Sequence, residues 1–538
     1  MVATLQPIAL LASDTLAERI SRSLFDDTFA GIHQLEWFDF ALLVPYFTLL
    51  GILAVYGLHR YVTIARYYRS GRGQDIPPKQ RFQNLPPVTI QLPVYNERYV
   101  VRRLLEAASR IRYPAELLQI QVLDDSTDET RAITERLVGQ YRAQGAPIEY
   151  HHRAGRAGYK AGALASGLDH ATGELIAIFD ADFVPPPDFL ERSVHHFTDP
   201  EVGMVQSRWG YLNRGYSVLT EVQAMLLDGH FVLEHGARCG TGLFFNFNGT
   251  AGILRRRMIE DAGGWQHDTL TEDADLSYRA QLRGWRFLYL PAIESPSELP
   301  IELYAFQVQQ SRWAKGLSQV ALKLLPRIFR AGIPWRNKLE AFFHLTPNIS
   351  YPVMVLVSAL MLPVMIVRFY MGWFEMVLMD LPIILATFFS IISFYLVAQR
   401  ERNRRTWKRS IAFLPMMIAA GIGLTVINTR AVIEACLRIP TAFARTAKYA
   451  ISGNRPASLE RQSYQRRSGA LPFIEIGLGT AFLVMSMIAV DTHNYLALPF
   501  LVLFVGGYYW AGFATLYDEH RDRLRWQRER RVSVETAR

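Results

Sequence analysis

Two aspartates separated by one residue close an apolar stretch in the middle of the chain. The stretch ELIAIFDADF, residues 174–183, places Asp180 and Asp182 directly after a run with the composition of a buried strand. Like charges this close repel each other unless a positive charge lies between them. Hard cations such as Mg2+ or Mn2+ take oxygen ligands and leave coordination positions open for phosphates. The spacing therefore predicts a divalent metal on Asp180 and Asp182 and a phosphorylated substrate.

Two earlier stretches repeat this pattern of an apolar strand followed by polar residues. Residues 88–94 precede the sequence YNE, and residues 117–126 contain Asp124 and Asp125. Taken singly, an acid after a strand commonly caps the next helix. Helix-favouring segments follow both strands, and this alternation predicts a largely parallel sheet whose ligands gather beyond the carboxyl ends of the strands. Three such ends together predict one site for a polyanionic ligand bound through a metal.

Long apolar segments flank the polar region and predict membrane helices. They cover residues 40–58, 349–367, 376–397, 411–428, 471–490 and 495–516. Basic residues after the first segment, and in 400–409 and 521–531, predict that the polar region is cytoplasmic. Because 429–470 is also basic, we interpret 411–428 as a re-entrant or interfacial segment, which leaves five spans. A sixth crossing is the alternative.

These segments predict the organisation of the whole chain. We expect an N-terminal segment 1–36 without the features of a cleaved signal peptide, a membrane helix 37–60, a polar region 61–345, a membrane region 346–516 and a basic tail 517–538. The formal charge of +9 fits basic loops that face anionic lipid, so nucleic-acid binding is not expected. Cys239 and Cys436 lie too far apart to indicate a disulfide framework or a zinc site.

An ordered set of short motifs resembles the processive, membrane-embedded family 2 glycosyltransferases, the group that contains the cellulose synthases. The likeness is strongest to the plant mannan and glucomannan synthase branch and its bacterial relatives. The motifs are QLPVYNE (91–97), VLDDSTDET (122–130), GYKAGAL (158–164), FDADF (179–183), FNGTAG (247–252), TEDADL (271–276) and QQSRWAKG (309–316). The resemblance implies an α/β GT-A (Rossmann-like) cytoplasmic domain inserted between transmembrane α-helices. The chain departs from cellulose synthases in having QQ where they typically carry QR, and a single span before the catalytic region.

The resemblance also implies roles for individual residues. Asp273 would be the general base with Glu272 beside it, although both residues also suit the start of a helix. Asp180 and Asp182 would hold Mg2+ or Mn2+. The residues implied in donor binding are Pro93, Tyr95, Glu97, Asp125, Lys160, Asp180, Gln309, Gln310 and Arg312.

Two further segments have implied roles. Trp313 would stack on the acceptor sugar, and it lies on an amphipathic helix near 305–328 that would otherwise simply rest on the membrane. Arg445, Thr446 and Lys448 resemble a gating loop within 429–470 that closes over bound nucleotide. A basic cytoplasmic loop without that role is the alternative.

The implied activity is the inverting polymerisation of a β-linked mannan, glucomannan or β-glucan, with export across the plasma (inner) membrane. The expected partners are GDP-mannose, GDP-glucose or UDP-glucose as donor, a growing glycan as acceptor, and membrane lipid. One alternative is transfer of a single sugar to a polyprenyl phosphate, glycerolipid or sphingolipid. A second is a channel component that only binds nucleotide sugar, against which the intact Asp180, Asp182, Asp273 and Lys160 argue.

Overall fold

A seven-stranded sheet forms the centre of the polar region. The computed structural model describes residues 35–71, 76–369, 381–441, 445–453, 469–492, 494–495 and 497–536, with side chains up to residue 521. The strands are β1 Val88–Val94, β2 Leu118–Asp124, β3 Ile148–His152, β4 Leu175–Ile178, β5 Val202–Tyr211, β6 Gly252–Arg255 and β7 Arg286–Ser297. Their order in the sheet is β3-β2-β1-β4-β6-β5-β7. The predicted α/β domain is confirmed.

Helices cover both faces of this sheet and form the membrane region. The helices are α1 Trp37–Arg69, α2 Val101–Ser109, α3 Thr130–Ala143, α4 Tyr159–Asp169, α5 Phe189–Ser193, α6 Val218–Asp228, α7 Gly236–Gly240, α8 Arg256–Asp261, α9 Glu272–Leu282, α10 Leu303–Arg330, α11 Trp335–Leu345, α12 Ser350–Phe369, α13 Leu381–Arg402, α14 Leu414–Gly423, α15 Thr425–Cys436, α16 Leu471–Asp491 and α17 Leu498–Thr536. A π-helical turn, Gly229–His235, joins α6 to α7.

Successive side chains of a strand point to opposite faces of the sheet. Because helices cover both faces, the side chains on both sides of these apolar strands are buried. In β4, Leu175 and Ala177 pack with one buried cluster, while Ile176 and Ile178 pack with the other. All four residues of this strand are buried. A strand covered on both sides needs a continuous apolar run, and the sequence LIAI satisfies that requirement.

The sheet is mixed, so the prediction of a largely parallel sheet is only partly right. β1, β2, β3 and β4 run parallel, and so do β5 and β7. β6 is antiparallel to both of its neighbours, β4 and β5. The chain reaches β6 from Gly249 at the carboxyl ends of the parallel strands, so β6 has to run away from that edge. β4 also ends at Ile178, which leaves Asp180 and Asp182 in the turn beyond the strand.

Five helices of the described chain are long and apolar enough to cross a membrane, in agreement with the five predicted spans. They are Trp37–Arg69, Pro347–Arg368, Leu381–Arg402, Leu471–Asp491 and Leu498–Arg521. The segment interpreted as re-entrant lies in a pair of helices, Trp407–Gly423 and Thr425–Cys436, bent by 41°. Such a pair is either a broken span or a re-entrant loop. The chain is therefore a membrane protein with five candidate spans and one bent pair.

Two predicted boundaries need correction. The first membrane helix does not end near residue 60 but continues to Arg69. The predicted loop 429–470 is helical up to Cys436, because α15 extends into it. Within that loop, 442–444 and 454–468 lie outside the described residues, as do 376–380 of the third predicted span and the N-terminal residues 1–34.

Candidate active site

The carboxyl ends of β1, β2 and β4 open onto one cleft, which α9, α10 and residues 445–448 complete. Nearly all the residues singled out in the sequence line it: Pro93, Tyr95, Glu97, Asp125, Lys160, Asp180, Asp182, Glu272, Asp273, Gln309, Arg312, Trp313, Arg445, Thr446 and Lys448. Gln310 is the exception among them, because it is not one of the described residues that line the cleft.

Two arginines that the sequence analysis missed shape the end of the cleft next to β2. Arg153 donates two hydrogen bonds to Asp125, from Nε to Oδ1 at 2.8 Å and from Nη2 to Oδ2 at 2.5 Å. The Arg156 guanidinium carbon lies 3.3 Å from the centroid of the Tyr95 ring. Both arginines belong to the sequence HHRAGRAGYK (151–160), between β3 and α4. Their closeness to the GYKAGAL motif could have indicated that they lie near the site.

Lys160 lies in the first turn of α4 and contacts two sides of the cleft. Its Nζ donates to Asp180 Oδ1 and, at 2.9 Å, to the carbonyl oxygen of Gly249. Burial acts to lower the pKa of Lys160, but the carboxylates of Asp180 and Glu272 outweigh it and the pKa is raised. The lysine is therefore a fixed positive charge among the acids of the cleft.

The two aspartates of FDADF both face the cleft, and each has a lysine partner. Asp182 Oδ2 lies 2.6 Å from Lys448 Nζ, while Asp180 pairs with Lys160. The described residues contain no group of three or more His, Cys, Asp or Glu side chains arranged to hold a metal. Two carboxylates fit a hard cation that takes its remaining ligands from phosphate and water, as Mg2+ does.

The turn around Gly249 brings the FNGTAG segment close to both Lys160 and Asp273. Gly249 has φ +80°, and a Cβ there would lie 3.0 Å from Asp273 Oδ2 and 3.4 Å from Lys160 Nζ. Asn96 and Ala251, each within two residues of a cleft-lining position in the sequence, also have left-handed backbone, both with φ 55°. Such conformations concentrate at functional sites because the surrounding structure has to hold them in place.

Asp273 lies at the start of α9, and one oxygen of its carboxylate is fixed. Oδ1 accepts the backbone N–H of Ala274 at 2.8 Å. Burial, with the neighbouring Glu272 carboxylate, raises the pKa of Asp273 to about 7. Burial also raises the pKa of Glu272. A carboxylate with such a pKa can take up a proton near neutral pH, which is what a general base requires.

Helix α10 carries Gln309, Arg312 and Trp313 to the cleft. It packs closely on the TEDADL motif: a Cβ on Gly316 would lie only 2.5 Å from the Thr271 side chain. Burial lowers the pKa of Arg312, although the carboxylates of Glu272 and Asp180 oppose the shift. On the same helix, Val320 and Leu324 pack in a buried cluster with residues of α9 and α11. At these two positions, the helix predicted to be amphipathic therefore packs against the catalytic region.

Residues 445–453, named here the capping segment, lie over the carboxylates of the cleft. Arg445 Nη1 lies 2.9 Å from Glu97 Oε2, and Lys448 contacts Asp182. Burial raises the pKa of Glu97 to about 8. The Thr446 hydroxyl is buried and forms no hydrogen bond with any described residue. An unpaired buried hydroxyl between two cations is suited to an anionic ligand.

Asn248 is a further cleft residue that the sequence analysis quoted within FNGTAG but did not assign. Its side chain lies between two histidines of the π-helical turn, 2.9 Å from His230 Nε2 and 2.7 Å from His235 Nε2. π-Helical turns are rare and occur frequently at functional sites. The histidines hold the Asn248 amide in one orientation toward the cleft.

Comparison with known proteins agrees with this geometry. Residues 175–396 match the family model described as Glycosyl transferase family group 2. Glucomannan 4-beta-mannosyltransferase 2 of Arabidopsis thaliana is 44% identical over 252 residues, covering 46% of this chain and 47% of the relative. Glucomannan 4-beta-mannosyltransferase 1 of Oryza sativa subsp. japonica is 40% identical over 270 residues, covering 49% of this chain and 52% of the relative. The chain thus spans about half the length of these relatives.

Similar solved structures include the mannosyltransferase PcManGT from Pyrobaculum calidifontis in complex with GDP-Man and Mn2+. It is 22% identical and covers 64% of this chain and 99% of that one, with a TM-score of 0.45. TarS of S. aureus is 15% identical, covering 58% of this chain and 55% of that one, with a TM-score of 0.35. The family match, together with the sheet itself, confirms the expected GT-A class of fold.

Proposed function

We propose that this chain, which carries a family 2 glycosyltransferase domain of the cellulose synthase-like kind, is an inverting glycosyltransferase that builds a β-linked polysaccharide from a nucleotide sugar. The observation that supports this most directly is the meeting, in one cleft, of a base-like Asp273, a pair of aspartates and an aromatic side chain, Trp313. The similarity to glucomannan 4-beta-mannosyltransferases makes a mannan or glucomannan the first product to test.

On the donor side, the residues of the cleft fit a nucleoside diphosphate. Tyr95 and Arg156 present a stacked ring and guanidinium next to Asp125, which suits a nucleotide base and ribose. Lys160 and Arg312 are fixed positive charges for the diphosphate, and a divalent cation on Asp180 and Asp182 would supply further charge stabilisation for the leaving group. Both Mg2+ and Mn2+ suit this all-oxygen pair.

On the acceptor side, Asp273 takes the proton from an acceptor hydroxyl. The hydroxyl oxygen forms a bond to the anomeric carbon while the bond from that carbon to the donor phosphate oxygen breaks. The electron pair leaves with the nucleoside diphosphate, next to Lys160, and the proton remains on Asp273. One such displacement inverts the anomeric centre and gives a β-linkage from an α-linked donor.

Trp313 suits the cleft to a growing glycan as the acceptor. Its side chain lines the same cleft as Asp273, so a sugar ring stacked on the indole would lie within the site. Five candidate spans adjoin the catalytic region, and basic loops at their ends favour a cytoplasmic site in the plasma (inner) membrane. We propose that the elongating glycan leaves the cleft toward these helices and crosses the membrane.

The test uses purified full-length protein in nanodiscs with Mn2+ and, in separate reactions, GDP-mannose, GDP-glucose and UDP-glucose. Release of nucleoside diphosphate and the size of radiolabelled product are measured. A high-molecular-weight product that a linkage-specific β-mannanase or β-glucanase digests supports the proposal and names the sugar. A small, organic-soluble product formed only when lipid is added would identify a lipid glycosyltransferase instead.

A further inference from the structure

We propose that Glu298 is the positioning residue that holds the capping segment over the cleft. In the sequence, Glu298 comes directly after β7 and before α10, outside every motif described above. Only 2% of the residue is exposed, although it lines the cleft. A carboxylate this deeply buried requires several partners, since burial without them is costly.

Two of these partners are backbone groups of the capping segment. Glu298 Oε1 accepts the N–H of Tyr449 at 2.7 Å, and Oε2 accepts the N–H of Ile451 at 3.1 Å. Backbone donors to a carboxylate fix the course of the chain, whichever side chains it carries. Every second residue here, namely Ala447, Tyr449 and Ile451, is buried in one apolar cluster. Glu298 therefore determines where this part of the segment lies.

Two further contacts connect Glu298 with the proposed metal site. Arg103 Nη2 donates to Glu298 Oε2 at 2.9 Å and also lies 3.4 Å from the carbonyl oxygen of Asp182. Lys448 donates from Nζ to the Glu298 carbonyl oxygen while it contacts the Asp182 carboxylate. The amino group of Lys448 thus retains a Glu298 partner if a cation takes its place on Asp182.

This arrangement suggests what Glu298 does during donor binding. With Tyr449 and Ile451 held, the preceding residues Arg445, Thr446 and Lys448 face the cleft from one side. Their cationic and hydroxyl groups suit the diphosphate that donor and product share. The role toward the diphosphate rests on the proposed function, whereas the role toward the backbone of the segment does not.

The test compares the wild-type protein with Glu298→Gln and with a matched control, Glu294→Gln. Glu294 lies on β7 four residues earlier, and its exposed carboxylate pairs with Arg208. Hydrogen exchange of the nanodisc-held protein reports on the backbone, and calorimetric titration with GDP and with UDP in the presence of Mn2+ reports on the diphosphate. Neither measurement needs turnover.

For Glu298→Gln we expect about 100-fold faster exchange confined to the capping segment, and about tenfold weaker binding of the preferred nucleoside diphosphate, because the amide replaces one accepting oxygen with a donor. Donor KM should rise by a similar factor with a smaller change in kcat. Glu294→Gln should match the wild type. If Glu298→Gln does not fold, Glu298→Asp, which keeps the charge, should show the same changes to a smaller extent.

Other outcomes overturn the inference. Unchanged exchange in the capping segment would show that Glu298 does not hold it. Faster exchange that includes β1 and α10 would reduce Glu298 to a residue that supports the fold. Faster exchange of the segment with unaltered nucleoside diphosphate affinity would overturn only the role toward the diphosphate. Failure of the proposed transfer reaction with a positive exchange result would leave the backbone role of Glu298 in place.

Discussion

On the side of the cleft formed by β1, β2 and β4, the acidic residues have basic partners from other parts of the chain. Asp125 pairs with Arg153, Asp180 with Lys160, Asp182 with Lys448 and Glu97 with Arg445. Glu97 differs from the three aspartates because burial raises its pKa to about 8 despite its partner. On the side formed by α9, Glu272 and Asp273 form no ion pair within 4.0 Å among the described residues. Both are buried enough that their pKa values are raised.

In the proposed function, this difference separates ligand binding from proton transfer. A metal ion that enters the cleft can replace the lysine partner of Asp180 or Asp182, so that each carboxylate keeps a positive neighbour. A buried carboxylate without an ion pair has a greater affinity for a proton, which suits a base that must accept one. The two sides of the cleft thus have different tasks, and substitutions on each should fail in different ways.

The largest effect should come from Asp273→Asn. The amide cannot accept the proton of the acceptor hydroxyl, and a general base contributes about 10²–10⁴-fold, so transfer should fall by that factor. Binding of the nucleoside diphosphate should remain within about twofold, since the donor side is untouched. Product formation and calorimetric titration measure the two quantities.

A pH profile provides a second readout for the same residue. If the Asp273 carboxylate is the base, wild-type kcat/KM should rise with pH through an acid limb near its raised pKa of about 7. Bound cations move that limb to lower pH by favouring the charged form. An Asp273→Asn variant that keeps substantial transfer, with the same acid limb, would contradict the assignment of the base.

The donor side should respond to the loss of divalent cations. Chelation should reduce transfer by about 100-fold or more, and Mn2+ or Mg2+ should restore it, because the leaving diphosphate loses charge stabilisation. Asp182→Asn should weaken the binding of Mn2+ measured in the presence of nucleoside diphosphate, whereas Asp273→Asn should not. Activity that is indifferent to chelator would remove the metal role from Asp180 and Asp182.

The donor side was also the part that the sequence predicted best. Residues such as Asp125, Asp180 and Lys160 follow strands or begin helices, so the βα pattern places them at one edge without further information. The antiparallel β6 was missed because a four-residue strand carries no mark of its direction. Arg153 and Glu298 were missed for a related reason: their partners, Asp125 and Tyr449 of the capping segment, lie 28 and 151 residues away in the sequence.

The acceptor side can be examined separately through Trp313→Ala. Loss of the stacking surface should shorten the product and lower transfer by about tenfold, with donor affinity close to that of the wild type. Trp335→Ala is the matched control, because this tryptophan at the start of α11 is 66% exposed. Size-exclusion analysis of labelled product checks the result. Wild-type product lengths in Trp313→Ala would leave that side chain a packing role only.

We expect the smallest effect from substitutions of the two neighbouring glutamines of α10. They test which of the two side chains faces the cleft. The resemblance to known synthases assigned both Gln309 and Gln310 to donor binding, but only Gln309 lines the cleft. Side chains of successive helical residues point about 100° apart, so two neighbours rarely reach the same ligand. Gln309→Ala should raise donor KM about threefold to tenfold, as expected for one lost hydrogen bond, and Gln310→Ala should stay within about twofold. If Gln310→Ala is the more damaging change, α10 must rotate when donor binds, and the separation between donor and acceptor sides would then apply only to the empty cleft.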